Sequence, residues 1–217
     1  MTTTLVIGNK NYSSWSLRPW LLLSHFGVAF EEVRLPLDTP QFAAEVGRHS
    51  PTGKVPALHD GGVHVWDSLA ICEYANERWL DGKGWPQDRE SRALARAAAA
   101  EMHSGFANLR SALPMNLKSR HEGFKVWAGA QADIDRVTAI WRECLQRYGG
   151  PYLFGKTPTT ADAMYTPVCS RFATYDVKLD PAAAAYRDLM LRFPAMLEWT
   201  AAAKAEPEEV EELDVEF

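Results

Sequence analysis

Cysteine is scarce in this chain, and its spacing excludes two kinds of chemistry. The 217 residues include three cysteines, Cys72, Cys144 and Cys169, which lie far apart in the sequence. No CxxC pair is present, so the chain cannot exchange dithiols through its own residues, and no cysteine falls at a metal-ligand spacing. We therefore expect reduced thiols in a cytoplasmic protein that holds no metal.

Basic charge and long apolar runs are also lacking. The net charge is −5, whereas general binding to nucleic acid or an acidic membrane requires a basic face. The apolar runs fall short of the ~20 residues of a membrane span. The first residues, MTTTLVIGNKNYSS, lack the basic start and apolar core of a secretion signal. These features predict a soluble intracellular protein with no nucleic-acid or membrane partner.

The pattern of residues 1–80 predicts a small α/β domain. Short β-like runs alternate with helical spacing in the order βαβ, a short helix, a ββ hairpin and a helix. The predicted strands cover residues 4–8, 30–37, 55–59 and 63–66. The predicted helices cover residues 15–26 and 67–79, with at most a short helix around Phe42 and Val46.

Strand patterns almost vanish beyond residues 81–87, DGKGWPQ, which we interpret as a linker. We predict an all-helical domain over residues 88–205, followed by a solvated acidic tail over residues 206–217. The first predicted helix of this domain is long, runs from Leu94 to Leu117 and is kinked at Pro114. The second covers residues 127–148, and the third begins at a Thr159–Asp162 capping box and ends near residue 175. Two shorter helices follow, and the last has Pro194 in its first turn.

Three hydroxyls crowd the predicted start of the first helix. Ser13, Ser14 and Ser16 follow closely on the first predicted strand, and ligands of open α/β sheets bind at the carboxyl ends of strands. A helix N-terminus presents unpaired N–H groups and about half a positive charge, so it favours anions, including thiolates. One serine can be a plain N-cap, and another can donate a hydrogen bond to a sulfur anion that arrives with a ligand.

Three stretches carry a resemblance to a known family. They are YSSWSLRPWLLL, then SPTGKVPALHDGG followed by VWDSLAICEYANERW, and TTADAMYTPV in the helical half. In order and spacing they resemble the cytosolic glutathione transferases, in particular the serine-type, zeta-like branch. The resemblance implies a thioredoxin-like glutathione-binding domain, an all-helical second domain, glutathione as co-substrate, a role in detoxification and a homodimer.

The resemblance also implies roles for residues of the first helix and the first β-hairpin strand. Ser13 would donate to the glutathione sulfur, with Ser14 in support. Trp15, at the position where the branch usually carries Cys, would also contact glutathione. The Val55 backbone would pair with the glutathione peptide, and Pro56 would follow a cis bond; the alternative is an ordinary trans edge proline. Lys54 would pair with the glycyl carboxylate or remain a solvated charge.

Asp67 and Ser68 begin the helix after the hairpin. The resemblance implies that Ser68 holds the γ-glutamyl carboxylate while Asp67, a shorter side chain than the usual Glu or Gln, faces the ammonium group. The alternative is that either is simply an N-cap. We expect Arg18 to brace the fold, buried against an acidic partner from this helix.

The second substrate, a small hydrophobic electrophile, would lie between the first helix and the long helix of the second half. Met102, Phe106 and Arg110 are the candidate pocket residues, although Met102 and Phe106 have the spacing of core residues. His103 has no partner cluster for a metal. Isomerases of the branch that act on maleylacetoacetate carry an arginine where this chain has Thr174, with Arg171 one turn earlier. That departure favours a conjugating transferase over the isomerase. A catalytically silent protein-interaction module of the same fold is the third alternative.

Overall fold

The N-terminal domain is a four-stranded mixed sheet with three helices. A computed structural model describes residues 2–210. Strands β1 (Thr3–Ile7), β2 (Glu31–Arg34), β3 (Ala57–Asp60) and β4 (Val63–Trp66) lie in the order β2-β1-β3-β4. The β1–β2 pair is parallel, and the other two pairs are antiparallel. The helices are α1 (Ser14–His25), α2 (Pro40–His49) and α3 (Ser68–Arg78). The predicted βαβ, helix, ββ, helix order is confirmed.

Two strands are shorter than predicted. Strand β3 begins at Ala57, not Val55, because Pro56 has no backbone N–H to donate to a ladder. Strand β2 covers only residues 31–34 of the predicted 30–37. The central strand β1 follows its pattern, since Leu5, Val6 and Ile7 are fully buried.

Helix α1 begins directly after Ser13, which is its N-cap. Pro19 lies within the helix, so one intrahelical hydrogen bond is lost there. Gly27 follows the helix with φ of 67°, the left-handed conformation that stops helices. Leu17 and Leu21 pack with Leu5 and Ile7 of β1, which places the N-terminus of α1 at the carboxyl end of that strand.

The second domain consists of six helices within the described residues, with short connections except for residues 113–127 and 149–159. The helices are α4 (Arg89–Ser104), α5 (Ala107–Ala112), α6 (Ala128–Tyr148), α7 (Thr160–Thr174), α8 (Pro181–Leu191) and α9 (Pro194–Ala205). Helix α7 is buried along nearly its whole length and packs against both α1 and α4. It therefore connects the helical core with the helix mouth of the first domain. No helix among residues 2–210 combines the length and the apolar character that a bilayer span requires.

The prediction of one long helix kinked at Pro114 is wrong. Helix α4 ends at Ser104, α5 ends at Ala112, and Pro114 follows both. The break lies at Gly105, where a Cβ would stand 2.7 Å from the Glu101 carbonyl oxygen. Phe106 then takes a left-handed conformation with φ of 58°. The apolar spacing continues across this break, which is why the pattern concealed it.

The acidic tail is not solvated where it begins. Glu206 is only 9% exposed, and its carboxylate accepts hydrogen bonds from the backbone N–H groups of Lys10 (2.8 Å) and Asn11 (3.1 Å). Glu208 pairs with Arg34 of β2 at 2.8 Å. The first tail residues thus anchor the loop that leads into α1. Residues 211–217 lie outside the described part of the chain.

Candidate active site

A cavity of about 450 Å³ opens beside the N-termini of α1 and α3. Nine residues line it, namely Trp15, Thr52, Lys54, Val55, Pro56, Trp66, Asp67, Ser68 and His103. All six residues that the family resemblance predicts to bind glutathione are in this set, although they come from three separate segments, whereas the two predicted catalytic serines, Ser13 and Ser14, are not. Their assignment as ligand contacts remains a prediction.

The peptide bond between Val55 and Pro56 is cis, as the resemblance implied. It lies immediately before β3, so the Val55 backbone stands at the start of a sheet strand that faces the cavity. Lys54 precedes it and is exposed. The cavity wall thus includes an irregular backbone segment on which an extended peptide could lie.

At the start of α3, protein groups satisfy only part of the hydrogen-bonding capacity of the residues there. Asp67 is the N-cap, and its Oδ1 accepts from the N–H groups of Leu69 (2.9 Å) and Ala70 (3.1 Å). Its Oδ2 lies 3.1 Å from Nε2 of His103. Ser68 is 1% exposed, and its hydroxyl has no hydrogen-bond partner in the described chain. Because buried polar groups are normally paired, this hydroxyl is a ready ligand contact.

The start of α1 contains hydroxyls but no acidic residue in its first turn. Ser13 and Ser14 are both buried. The Ser13 hydroxyl donates to Oγ of Ser16 at 2.7 Å, and Ser16 Oγ also accepts from the N–H of Gly8 at 3.2 Å. The Ser13 side chain makes no capping bond to the helix. The positive end of this helix is therefore not neutralised by a side chain of its own first turn.

Three arginines approach this helix start. Arg171 of α7 donates from Nη2 to Ser14 Oγ at 3.1 Å. Arg18 lies with its guanidinium carbon 4.1 Å from the centre of the Trp15 ring, and Arg110 lies 5.3 Å from the same ring. Sequence reasoning did not assign Arg171 to the site, because only the fold brings α7 against α1.

Arg18 is buried as predicted, at 1% exposed, but its predicted ion pair with an acidic residue of α3 is not formed. Within residues 2–210 its Nε and Nη1 have no hydrogen-bond partner and no carboxylate pairs with it; the charge of the α3 N-cap Asp67 only weakly favours its protonated form. It stacks on Trp15 instead, because the helix places both side chains on one side. Burial, followed by the charges of Arg171 and Arg110, lowers the pKa of Arg18 to about 9, and burial lowers the pKa of Arg171 to about 10.

His103 is a second residue that sequence reasoning did not place in the site. Its ring meets Trp15 edge-on at 5.3 Å, and it contacts Asp67 across the cavity. The spacing of α4 gave no signal for this role, since His103 shares its helix turn with core residues.

The candidate electrophile residues divide into two kinds. Met102 and Phe106 are buried in the hydrophobic core of the helical domain, together with Trp141 and Tyr165. Arg110 is only partly buried and faces Trp15. Contact of any of the three with a second substrate remains a prediction.

The protein's own thiols are poor candidates for a nucleophile. Cys72, Cys144 and Cys169 are free and buried. Burial raises the pKa of all three thiols, that of Cys144 to about 11. Among residues 2–210 no group of three potential metal ligands converges. A sulfur anion at the α1 mouth would therefore have to come with a ligand.

The fold and this site define a class of protein: a thioredoxin-like domain with a cis-proline loop, followed by a helical domain. Residues 12–78 match the family model for the glutathione S-transferase N-terminal domain, and residues 92–202 match that for the C-terminal domain. The chain belongs to the glutathione S-transferase family.

Three similar proteins illustrate the range of the family. Maleylacetoacetate isomerase of Rattus norvegicus is 30% identical over 79% of each chain. Glutathione S-transferase-like protein OpS6 of Beauveria bassiana is 27% identical over 87% of this chain and 86% of that one. The holo structure of maleyl pyruvate isomerase, described as a bacterial zeta-class glutathione S-transferase, superposes with a TM-score of 0.73 at 23% identity, over 95% of this chain and 100% of the other. The superposition shows the shared fold, and the sequence relatives named maleylacetoacetate isomerase support the zeta-like branch.

Proposed function

We propose that the protein binds glutathione in the cavity between α1 and α3 and directs its thiolate at a small hydrophobic electrophile. One observation carries the proposal. The Ser68 hydroxyl at the start of α3 lines the cavity and has no hydrogen-bond partner within the described residues. The Ser14 hydroxyl, next to the cavity residue Trp15 at the start of α1, accepts from Arg171, and within the described residues its own hydrogen is donated to no protein acceptor. The tripeptide brings a sulfur anion for one site and a carboxylate for the other.

The remaining cavity residues have complementary chemistry. Ser68 at the N-terminus of α3 suits the γ-glutamyl carboxylate, and Asp67 suits the ammonium group beside it. The Val55 backbone suits the peptide, and Lys54 suits the glycyl carboxylate. Together these groups would hold glutathione with its sulfur toward Ser13 and Ser14.

The N-terminus of α1 would stabilise the glutathione thiolate. The helix N-terminus and a serine hydroxyl both favour the anion over the thiol. A pKa lowered by one unit corresponds to about 1.4 kcal/mol and about tenfold more thiolate near neutral pH. The thiolate then forms a bond to the electrophilic carbon. In a substitution the leaving group departs with its bonding electrons, and in an addition to a double bond the resulting carbanion takes a proton from solvent.

Isomerisation is a second candidate, in which the thiolate adds to a double bond and leaves again after rotation. Arg110 favours it, because a cation beside Trp15 suits an acidic substrate, and several relatives are named maleylacetoacetate isomerases. Thr174, where those isomerases carry arginine, disfavours it. Assays with dicarboxylate enones and with neutral electrophiles separate the two reactions.

The assembly and location that we propose follow from the family. A cytoplasmic homodimer would pair the first domain of one subunit with the helical domain of its mate. Sedimentation that shows only monomer would contradict the dimer.

Calorimetric titration of glutathione in two buffers of different ionisation heat, near neutral pH, tests the proposed function. We expect binding with proton release, because the site ionises the thiol. Binding without proton release would indicate that the site holds glutathione without activating it. No binding would contradict the proposal and favour the catalytically silent interaction module.

A further inference from the structure

We infer that Arg171 is a positioning residue for the thiolate site and that Ser14, the hydroxyl it binds, is the one that meets the sulfur. The inference rests on the proposed function, since it concerns how the same site stabilises the glutathione anion. It also orders the two serines, because it gives Ser14 the main contact and Ser13 the supporting one.

The guanidinium of Arg171 is fixed in place by three acceptors. Its Nη1 donates to the carbonyl oxygens of Leu113 and Arg110, and its Nη2 donates to Ser14 Oγ at 3.1 Å. The side chain is 6% exposed and extends from α7 to α1, across 157 positions of sequence. A planar guanidinium held at several points has little freedom to turn, so it presents one N–H to Ser14 in a fixed direction.

The hydrogen-bond inventory of the serines separates their roles. A hydroxyl has one hydrogen to donate and two lone pairs to accept with. The Ser13 hydrogen is directed to Ser16 Oγ. Ser14 Oγ accepts from Arg171, and its own hydrogen finds no acceptor within residues 2–210. The Ser16 hydroxyl also donates to no acceptor there, but Ser16 is 0% exposed. Of the two candidate serines, Ser14 is thus the one whose hydrogen is available to a ligand.

The hydrogen bond that Ser14 Oγ accepts from Arg171 also makes the Ser14 O–H a stronger donor to the sulfur. A hydroxyl polarised by a charged donor on its oxygen is a better donor through its hydrogen. Within the described residues no carboxylate pairs with Arg171, so this polarisation is not cancelled locally. The competing explanation is that Arg171 acts on the sulfur by its charge alone, without Ser14.

A double-mutant cycle separates these two explanations. The ultraviolet absorbance of the thiolate is followed against pH with saturating glutathione in wild type, Arg171→Met, Ser14→Ala and the double variant. We expect Arg171→Met to lower the fraction of bound glutathione that is ionised at neutral pH by about three- to tenfold. In the Ser14→Ala background the same change should have little further effect. Arg171→Gln, which keeps an N–H donor without the charge, should recover part of the loss.

Three results would overturn the inference: an Arg171→Met titration equal to that of wild type, an equal shift in the Ser14→Ala background, or a larger shift for Ser13→Ala than for Ser14→Ala. The serine comparison does not depend on how well the arginine variants fold. A wild-type protein that leaves the bound thiol unionised at neutral pH would instead contradict the proposed function itself, so the two failures are distinguishable.

Discussion

Helices α1 and α7 both begin with a hydroxyl-rich segment, SSWS at residues 13–16 and TTAD at residues 159–162, yet the two starts differ in chemistry. In α7, the Asp162 carboxylate accepts from the backbone N–H groups of Thr159 (2.8 Å) and Leu153 (3.0 Å) and from the hydroxyl of Tyr186 (3.0 Å). In α1, the matching position is Ser16, and the first turn has no acid. In this pair, the start of α7 is occupied by the protein's own carboxylate, whereas the start of α1, where three serines meet, has no carboxylate in its first turn.

Helix α3 lies between these two cases. Asp67 caps it with one oxygen, as a structural start requires, but the other oxygen points toward His103 and the cavity. Beside it, the Ser68 hydroxyl has no hydrogen-bond partner in the part of the chain that the structure describes. The α3 start therefore serves the fold and a ligand together, and both alternatives predicted for these two residues are compatible.

The largest effect is expected from removing the anion of α7. Asp162→Ala leaves the N–H groups of Leu153 and Thr159 buried and unpaired, so the free energy of unfolding should fall by about 3 kcal/mol or more. Burial raises the pKa of the Asp162 carboxyl, and its hydrogen-bond donors oppose that shift. Urea unfolding measures the change, with Asp162→Asn as the isosteric control that keeps one acceptor. A loss below about 1 kcal/mol would show that this capping box is not essential.

A smaller effect, on binding alone, is expected at the start of α3. Ser68→Ala removes a hydroxyl that has no partner within residues 2–210, so thermal stability should change little. The Kd for glutathione should rise about tenfold, because a hydrogen bond to a carboxylate is lost. Thr160→Val is the matched control, since Thr160 is also buried and unpaired at the first position of a helix but does not line the cavity. Equal changes in Kd for both variants would contradict the assignment.

The smallest effect is expected at Asp60, on the first domain but outside the cavity. Hydrogen bonds from Tyr74 (2.9 Å) and Arg78 (3.1 Å) lower the pKa of this carboxyl. A lowered pKa means that Asp60 stabilises the fold above about pH 4. That contribution is lost as the pH falls through the lowered pKa. Asp60→Asn should therefore flatten the acid side of the stability curve slightly and leave glutathione binding unchanged. A changed Kd would show that the sheet edge and the site are coupled.

Local patterns were enough to predict much of the fold, and the family resemblance predicted most of the residues that line the cavity. Ser13, Ser14, Asp67 and Ser68 stand at helix starts, where the chemistry follows from a few adjacent residues. The Thr159–Asp162 capping box is likewise a short-range signal, and the structure confirms it.

The remaining features depend on contacts that sequence spacing does not contain. Arg171 and His103 reach the site from helices distant in sequence. Arg18 meets a ring instead of a carboxylate, and the position of Gly105 against a carbonyl oxygen ends a helix whose apolar pattern continues. Glu206 reads as part of a solvated acidic run, yet it binds the loop before α1.

The claim that the N-terminus of α1 stabilises the sulfur anion of a ligand is tested most directly by the pKa of the glutathione thiol when the peptide is bound. Ultraviolet titration of the wild-type complex should show the thiol ionising well below the ~8.5 of an unperturbed cysteine, and Ser14→Ala should return it toward that value. A bound thiol that titrates like a free one in the wild-type protein would contradict the claim that α1 accepts an external sulfur anion.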